Sequence, residues 1–248
     1  MKEEMRGLSI DGSGTIESGE YEDIDIYGRA NLSGNVRCES LMINGVLESK
    51  YKIYGESIEV NGAVNISEFA QGEEIEVNGA ASFKNGLIFS SMEVNGRVSA
   101  IGEIKGERLE INGKVDIEGI LNCESVEVGG CLTATKDVTV ESIECDGIIK
   151  IQGLLNGENV FIESSSKSYV KEIGGGVIEI ISTSKNLGND SFVSEFIEGD
   201  EININNVTVK SVRGNVVNVG DYCVIDNLHY RDQVNISHKA KVKEVIKF

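Results

Sequence analysis

The sequence contains no proline and no tryptophan, only two histidines, and 6% aromatic residues. A chain without proline suits continuous backbone ladders, whose interior excludes that residue. His229 and His238 both stand late in the chain. They leave little material for acid–base chemistry near neutral pH, and both are read as surface residues. No run of about 18 apolar residues occurs, so no transmembrane helix is expected. The opening MKEEMRGLSIDG has no apolar stretch of the secretory kind. Basic residues are scarce: 23 Lys and Arg stand against 41 Asp and Glu, a formal charge of −18. Such a surface disfavours nucleic acid and anionic lipid, both of which are polyanions. The five cysteines (Cys38, Cys123, Cys131, Cys145 and Cys223) are odd in number and match no zinc or redox spacing. A cytoplasmic chain with reduced thiols and no metal or cofactor is the expectation.

Glycine is abundant, at 29 residues, and it is placed periodically. An apolar–x–apolar–Asn–Gly step returns at every seventeenth position: LMING ending at Gly45, IEVNG at Gly62 and Gly79, MEVNG at Gly96, LEING at Gly113. Related steps end at Gly28 (IDIYG), Gly130 (VEVGG) and Gly147 (IECDG). A fixed period in this range signals a solenoid, in which each repeat leans on its neighbours. Within the unit 109–125, Leu109 and Ile111 flank Glu110, Val115 and Ile117 flank Asp116, and Leu121 and Cys123 flank Asn122. Three short strands of period two, each with one buried face, make one coil of a triangular parallel β-helix. Gly113 and Gly119 fall between them, where the chain turns and positive φ is expected. Successive coils then stack about 4.8 Å apart.

The buried columns repeat like over like: Leu41, Ile58, Ile75, Met92, Leu109 and onward, beside Ile43, Val60, Val77, Val94, Ile111. Cys38 and Cys123 share a buried column, about 24 Å apart over five coils, beyond disulfide reach. Cys145 fills a Val/Ile position. Asn44, Asn61, Asn78, Asn95 and Asn112 form a turn ladder whose amides can bond along the stack. An outward column carries Glu59, Glu76, Glu93, Glu110, Glu127 and Glu144. A second carries Glu39, Glu56, Glu73, Ser90, Glu107 and Glu124 onward. A solvated face that discourages sideways sheet pairing accounts for both. Docking of a basic partner or gathering of divalent cations is the sharper alternative.

The register breaks after Ile162. Ser164–Ser168 is polar and flexible in composition, and an insertion is placed around Ser182–Ser191. IGGGVIEI from Ile173, IEGDEINI from Ile197 and VRGNVVNV from Val212 then read as shorter, irregular coils. Val234 and Ile236 suggest another coil, followed by a basic tail of Lys239, Lys241, Lys243 and Lys247. The organisation expected is a regular β-helix over 1–164 and an irregular β-helical segment over 165–248. Strand alternation begins at Leu8, with no helix before it to act as a lid. Uncapped coils template another chain, so Leu8, Ile10, Ile24 and Ile26 are the candidates for self-association.

Catalytic patterns are absent. No phosphate loop, serine triad or metal-ligand cluster stands out, and the uniform acidic columns single out no carboxylate pair for glycoside chemistry. The Asn-Gly-punctuated acidic coils, with VKEIGGGVIEI at 170–180 and IEGDEININN…VKSVRGNVVNVG at 197–220, resemble bactofilins, the polymer-forming bacterial cytoskeletal proteins. The later stretches look like the longer two-part members from Firmicutes. The resemblance implies a right-handed helix that polymerises end to end without nucleotide. It also implies a scaffold for cell shape, polarity or motility machinery. The N-terminus gives no support for the membrane association that many members show. The expectation is therefore a non-enzymatic cytoplasmic scaffold whose partner is itself. A monomeric adaptor that binds a basic protein through its acidic faces is a second reading, and a carbohydrate-active enzyme is a third.

Overall fold

The computed structural model describes residues 6–183 and 191–248; residues 1–5 and 184–190, which hold most of the expected insertion, lie outside it. The described residues are essentially all-β: 21 strands wound as a right-handed parallel β-solenoid of about 14 turns. Two compact units divide the chain, Met1–Cys123 and Glu124–Phe248.

In the first unit the period becomes a ladder. Ile24, Leu41, Ile58, Ile75, Met92 and Leu109 pair in succession, as do Ile26, Ile43, Val60, Val77, Val94 and Ile111. All twelve are buried. Each step equals the sequence period except the first, where Leu8 pairs with Ile24, one position short. Most coils of this unit have a long strand such as Ile53–Val60 and a short one such as Ala63–Ile66, which merge into one in Arg97–Ile111. The long strand bends in its middle. Cys38 pairs with Gly55 and Ser40 with Ser57, and the ladder passes over Glu39 and Glu56 at the corner. The two buried phenylalanines each have a smaller residue on at least one side. Phe83 lies between Ile66 and Ala100, and Phe89 between Gly72 and Gly106. A Cβ on Gly106 would stand 2.0 Å from the Phe89 ring, so the small residue makes room for the large one.

The Asn-Gly corners correct one expectation. Gly113 and Gly119 do not have positive φ; among the described glycines only Gly86 and Gly102 do. The demand is for space. A Cβ on Gly62, Gly79, Gly96 or Gly113 would lie 2.0 Å from the carbonyl oxygen of the corner glycine one coil earlier. The tight approach satisfies the backbone: Asn61 N–H and Gly62 N–H both donate to the Ile43 carbonyl, at 2.9 and 2.8 Å.

The second unit keeps its inward columns while its coil length varies. Ile143, Val160, Ile178, Ile202, Val217 and Val234 pair in turn. The steps from Ile143 to Val160 and from Val217 to Val234 keep the period of the first unit. The step from Val160 to Ile178 is one position longer, that from Ile178 to Ile202 longer still, and that from Ile202 to Val217 shorter. The change in coil length thus follows Ile162, but the expectation of shorter coils is corrected: the steps to Ile178 and Ile202 are longer than the period and only that to Val217 is shorter. Glycine recurs at the inner side of the bend, with Gly157, Gly175, Gly199 and Gly214 in register. The Gly174–Gly176 triplet sits inside the strand Ser168–Ser182. The Ser164–Ser168 stretch, polar and flexible by composition, is packed instead. Ser164 and Ser168 are buried with their hydroxyls 2.9 Å apart. Ser182 donates to Ser191 at 2.7 Å, and the Asn206 amide reaches the Ser182 carbonyl at 3.2 Å. Buried hydroxyls survive because each has a partner. The basic tail forms the strand Lys241–Lys247, paired on Val224–Ile236. Lys239 bridges Asp221 at 2.7 Å and Lys243 bridges Asp226 at 2.6 Å.

Candidate functional site

The most ordered surface feature is the corner ladder of the first unit. Asn61 donates to Asn44, Asn78 to Asn61, and Asn95 to Asn78, each at 3.0 Å, and Asn112 donates to Asn95 at 3.1 Å. Each side-chain nitrogen also donates to the glutamate two residues before it: Asn61 to Glu59 at 2.6 Å, Asn78 to Glu76 at 2.7 Å, Asn95 to Glu93 at 2.9 Å and Asn112 to Glu110 at 3.1 Å. The asparagine and glutamate columns, separate in the sequence reading, are therefore one network. Its signal is the Glu-x-Asn spacing that recurs from Glu59 to Asn112. Charge-assisted bonds of this kind hold the carboxylates in line and offset part of their mutual repulsion. Glu76 and Glu93 are exposed, Glu59 and Glu110 half-buried. Glu127 and Glu144 lie in the second unit, half-buried and exposed respectively.

A second asparagine ladder, not foreseen, runs through the second unit. Asn218 donates to Asn203 and Asn235 to Asn218, each at 2.7 Å, and Asn203 reaches Glu201 at 3.3 Å. These asparagines occupy the outward position between two inward residues, in register with Glu179. That is the place that glutamate takes in the first unit.

Two concavities follow the bends. In the first unit Glu39, Glu56 and Glu73 line a groove of about 260 Å³, beside Arg37 stacked 5.3 Å over the Tyr54 ring. In the second, an open furrow of about 820 Å³ runs over the Gly157–Gly214 column. Its charged walls are partly self-satisfied: Arg213 lies 3.6 Å from Glu198 and 4.7 Å from the centre of the Phe248 ring. Among the described residues, no three or more His, Cys, Asp or Glu side chains are grouped to hold a metal ion. His229 is half-buried and His238 exposed. Burial pushes the Cys38 thiol up to about 12, with Asp23 adding to the rise. It does the same to Cys145, which also reaches about 12. Cys223 is shifted upward for the same reason. Cys131 alone is half-buried.

The coil edges are the remaining candidates. Leu8 and Ile10 are half-buried in the strand Arg6–Ile10, which among the described residues pairs on one side, with Gly19–Ile26. Ile24 and Ile26 lie one coil further in and are 1% and 0% exposed, beneath Leu8 and Ile10. Of the four candidates, Leu8 and Ile10 are therefore partly exposed and the other two are buried. The second unit has an edge of its own that the sequence reading did not single out. There Ile236, Val245, Ile246 and Phe248 are 36–46% exposed. No helix among the described residues is long and apolar enough to cross a membrane. No family model, curated protein or solved structure matches the chain, so the fold and these surfaces carry the functional reading.

Proposed function

We propose that the chain is a non-enzymatic cytoplasmic scaffold of the bactofilin type, which assembles with copies of itself through the open edges of its coils. The observation that supports this reading is the coincidence of parallel strand edges that, among the described residues, pair on one side only with apolar side chains that are half-buried or exposed. Leu8 and Ile10 stand at one such edge; Ile236 and Val245 stand at another. An edge of this kind presents a row of N–H and C=O groups beside hydrophobic columns, which templates another strand. In a solenoid each coil is stabilised by its neighbours, so adding a coil from another copy extends the same packing. The acidic columns contribute in a different way. Their repulsion keeps copies from pairing side by side and leaves the edges as the route of association.

The test is Ile10→Lys. The substitution places a charge at the half-buried head of the inward column that continues as Ile26. Negative-stain microscopy and pelleting should show polymers of the unmodified chain shortened or lost in the variant, with an unchanged β-type circular dichroism spectrum. Unaltered polymers in the variant would remove the Leu8–Ile10 edge from the account. Salt-sensitive capture of a basic protein by a chain that never assembles would favour the adaptor reading instead.

A further inference from the structure

We propose that Asn44 is a site of spontaneous deamidation, and that the corner ladder protects Asn61, Asn78, Asn95 and Asn112 from the same reaction. The inference stands apart from self-assembly and concerns the chemistry of the single chain.

Asparagine followed by glycine is the step most open to this reaction, because a residue without Cβ does not shield its own nitrogen. The glycine nitrogen attacks the asparagine Cγ, and its proton passes to water. The bond from Cγ to the side-chain nitrogen breaks, and that nitrogen leaves as ammonia. Water then opens the five-membered imide at either carbonyl, giving aspartate or isoaspartate. The attack needs two freedoms. The glycine N–H must give up its hydrogen bond, and the asparagine must turn its carboxamide toward that nitrogen.

The first restraint is the same at every rung. Gly45 donates to the Ile26 carbonyl, Gly62 to Ile43, Gly79 to Val60, Gly96 to Val77 and Gly113 to Val94, all at 2.8–2.9 Å. All five asparagines are exposed, so access of water does not separate them either. The second restraint does. Asn61, Asn78 and Asn95 each donate to the asparagine one coil earlier and to the glutamate two residues before, and each accepts from the asparagine one coil later. Asn112 makes the same two donations. Asn44 makes neither. The preceding coil places Tyr27 beside it where an asparagine would accept, and Met42 stands where the later coils carry glutamate. Among the described residues its amide nitrogen has no acceptor, and its one side-chain bond is the one it accepts from Asn61 at 3.0 Å. Turning the Asn44 carboxamide therefore breaks one bond, where Asn78 must break three. The corner also makes the product consequential. Isoaspartate adds a carbon to the main chain, and a Cβ on Gly45 would already lie 1.9 Å from the Gly28 carbonyl oxygen. Asn85–Gly86 and Asn156–Gly157, the two other such steps, lie outside this column.

Peptide mapping by mass spectrometry tests the proposal, on folded chain incubated at mildly alkaline pH. Asn44 should deamidate about tenfold faster than Asn78, the ratio that ~1.4 kcal/mol of lost bonding gives and that two exposed hydrogen bonds supply together. In urea, where the ladder is gone, the difference should vanish. Met42→Glu restores a missing acceptor and should slow Asn44. Glu76→Ala, at an exposed position, should speed Asn78, whereas Glu76→Gln keeps an acceptor oxygen and should leave its rate unchanged. Equal rates at Asn44 and Asn78 in the folded chain would overturn the proposal. So would a difference that persists in urea, which would assign it to local sequence, or rates that ignore both Met42→Glu and Glu76→Ala.

Discussion

Asn78 and Gly79 stand side by side at a corner and are held there by different forces. Asn78 donates to Asn61 and Glu76 and accepts from Asn95. These bonds are solvent-exposed, and each contributes about 1 kcal/mol or less. Gly79 carries no such bond, yet a Cβ there would meet the Gly62 carbonyl oxygen at 2.0 Å, and overpacking against backbone costs about 3 kcal/mol. Asn78→Ala is therefore expected to lower stability by about 1 kcal/mol and Gly79→Ala by about 3 kcal/mol, read from urea midpoints. The asparagine ladder was legible from the fixed spacing alone. The reason for the glycine was not, because Asn-Gly ordinarily signals positive φ, and only stacking reveals the carbonyl that excludes a side chain. The buried thiols give a further residue-scale expectation. Cys38 and Cys145 ionise near 12 when folded, against about 9 unfolded. The folded state thus holds their protons longer, and the stability this confers is complete below pH 9 and lost as pH rises from 9 toward 12. Cys38→Ala combined with Cys145→Val should flatten the alkaline loss in urea midpoint over that window; an unchanged slope would show that the thiols play no part in it.

At the scale of the strand, alternation over a fixed period made the inward columns readable before any coordinates. Three corners per coil were readable too, but not that one of them is a bend inside a continuous strand. Glu39, Glu56 and Glu73 look like ordinary outward residues until the ladder is seen to pass over them. Nor was the packing of Ser164 and Ser168, since a serine-rich stretch has the same composition whether it is solvated or satisfied by buried partners. The glutamate column tests the physics of the element. Charges one coil apart, about 5 Å, repel by about 0.8 kcal/mol in water, and salt removes much of this as the Debye length shortens from about 30 Å at 0.01 M to about 3 Å at 1 M. The melting temperature should rise with salt. The triple variant Glu59→Gln, Glu76→Gln, Glu93→Gln keeps an acceptor oxygen for each asparagine while removing the repulsion. Its melting temperature should exceed that of the unmodified chain at low salt and converge with it at high salt. Equal salt dependence in the two proteins would assign the effect to charges elsewhere.

For the molecule as a whole, the repeat predicts a fold built from neighbour contacts, and the exposed edges predict what that fold does. Composition pointed to the class through the absence of proline, the strong acidity and the periodic glycine. The basic tail became legible as an added coil only through its pairing on Val224–Ile236 and the ion pairs of Lys239 with Asp221 and Lys243 with Asp226. The most direct measurement is sedimentation velocity of the unmodified chain over a wide concentration series, with electron microscopy of the same samples. The account predicts average mass rising steadily with concentration and elongated assemblies on the grid; a single 26.8 kDa species at every concentration and salt would contradict it.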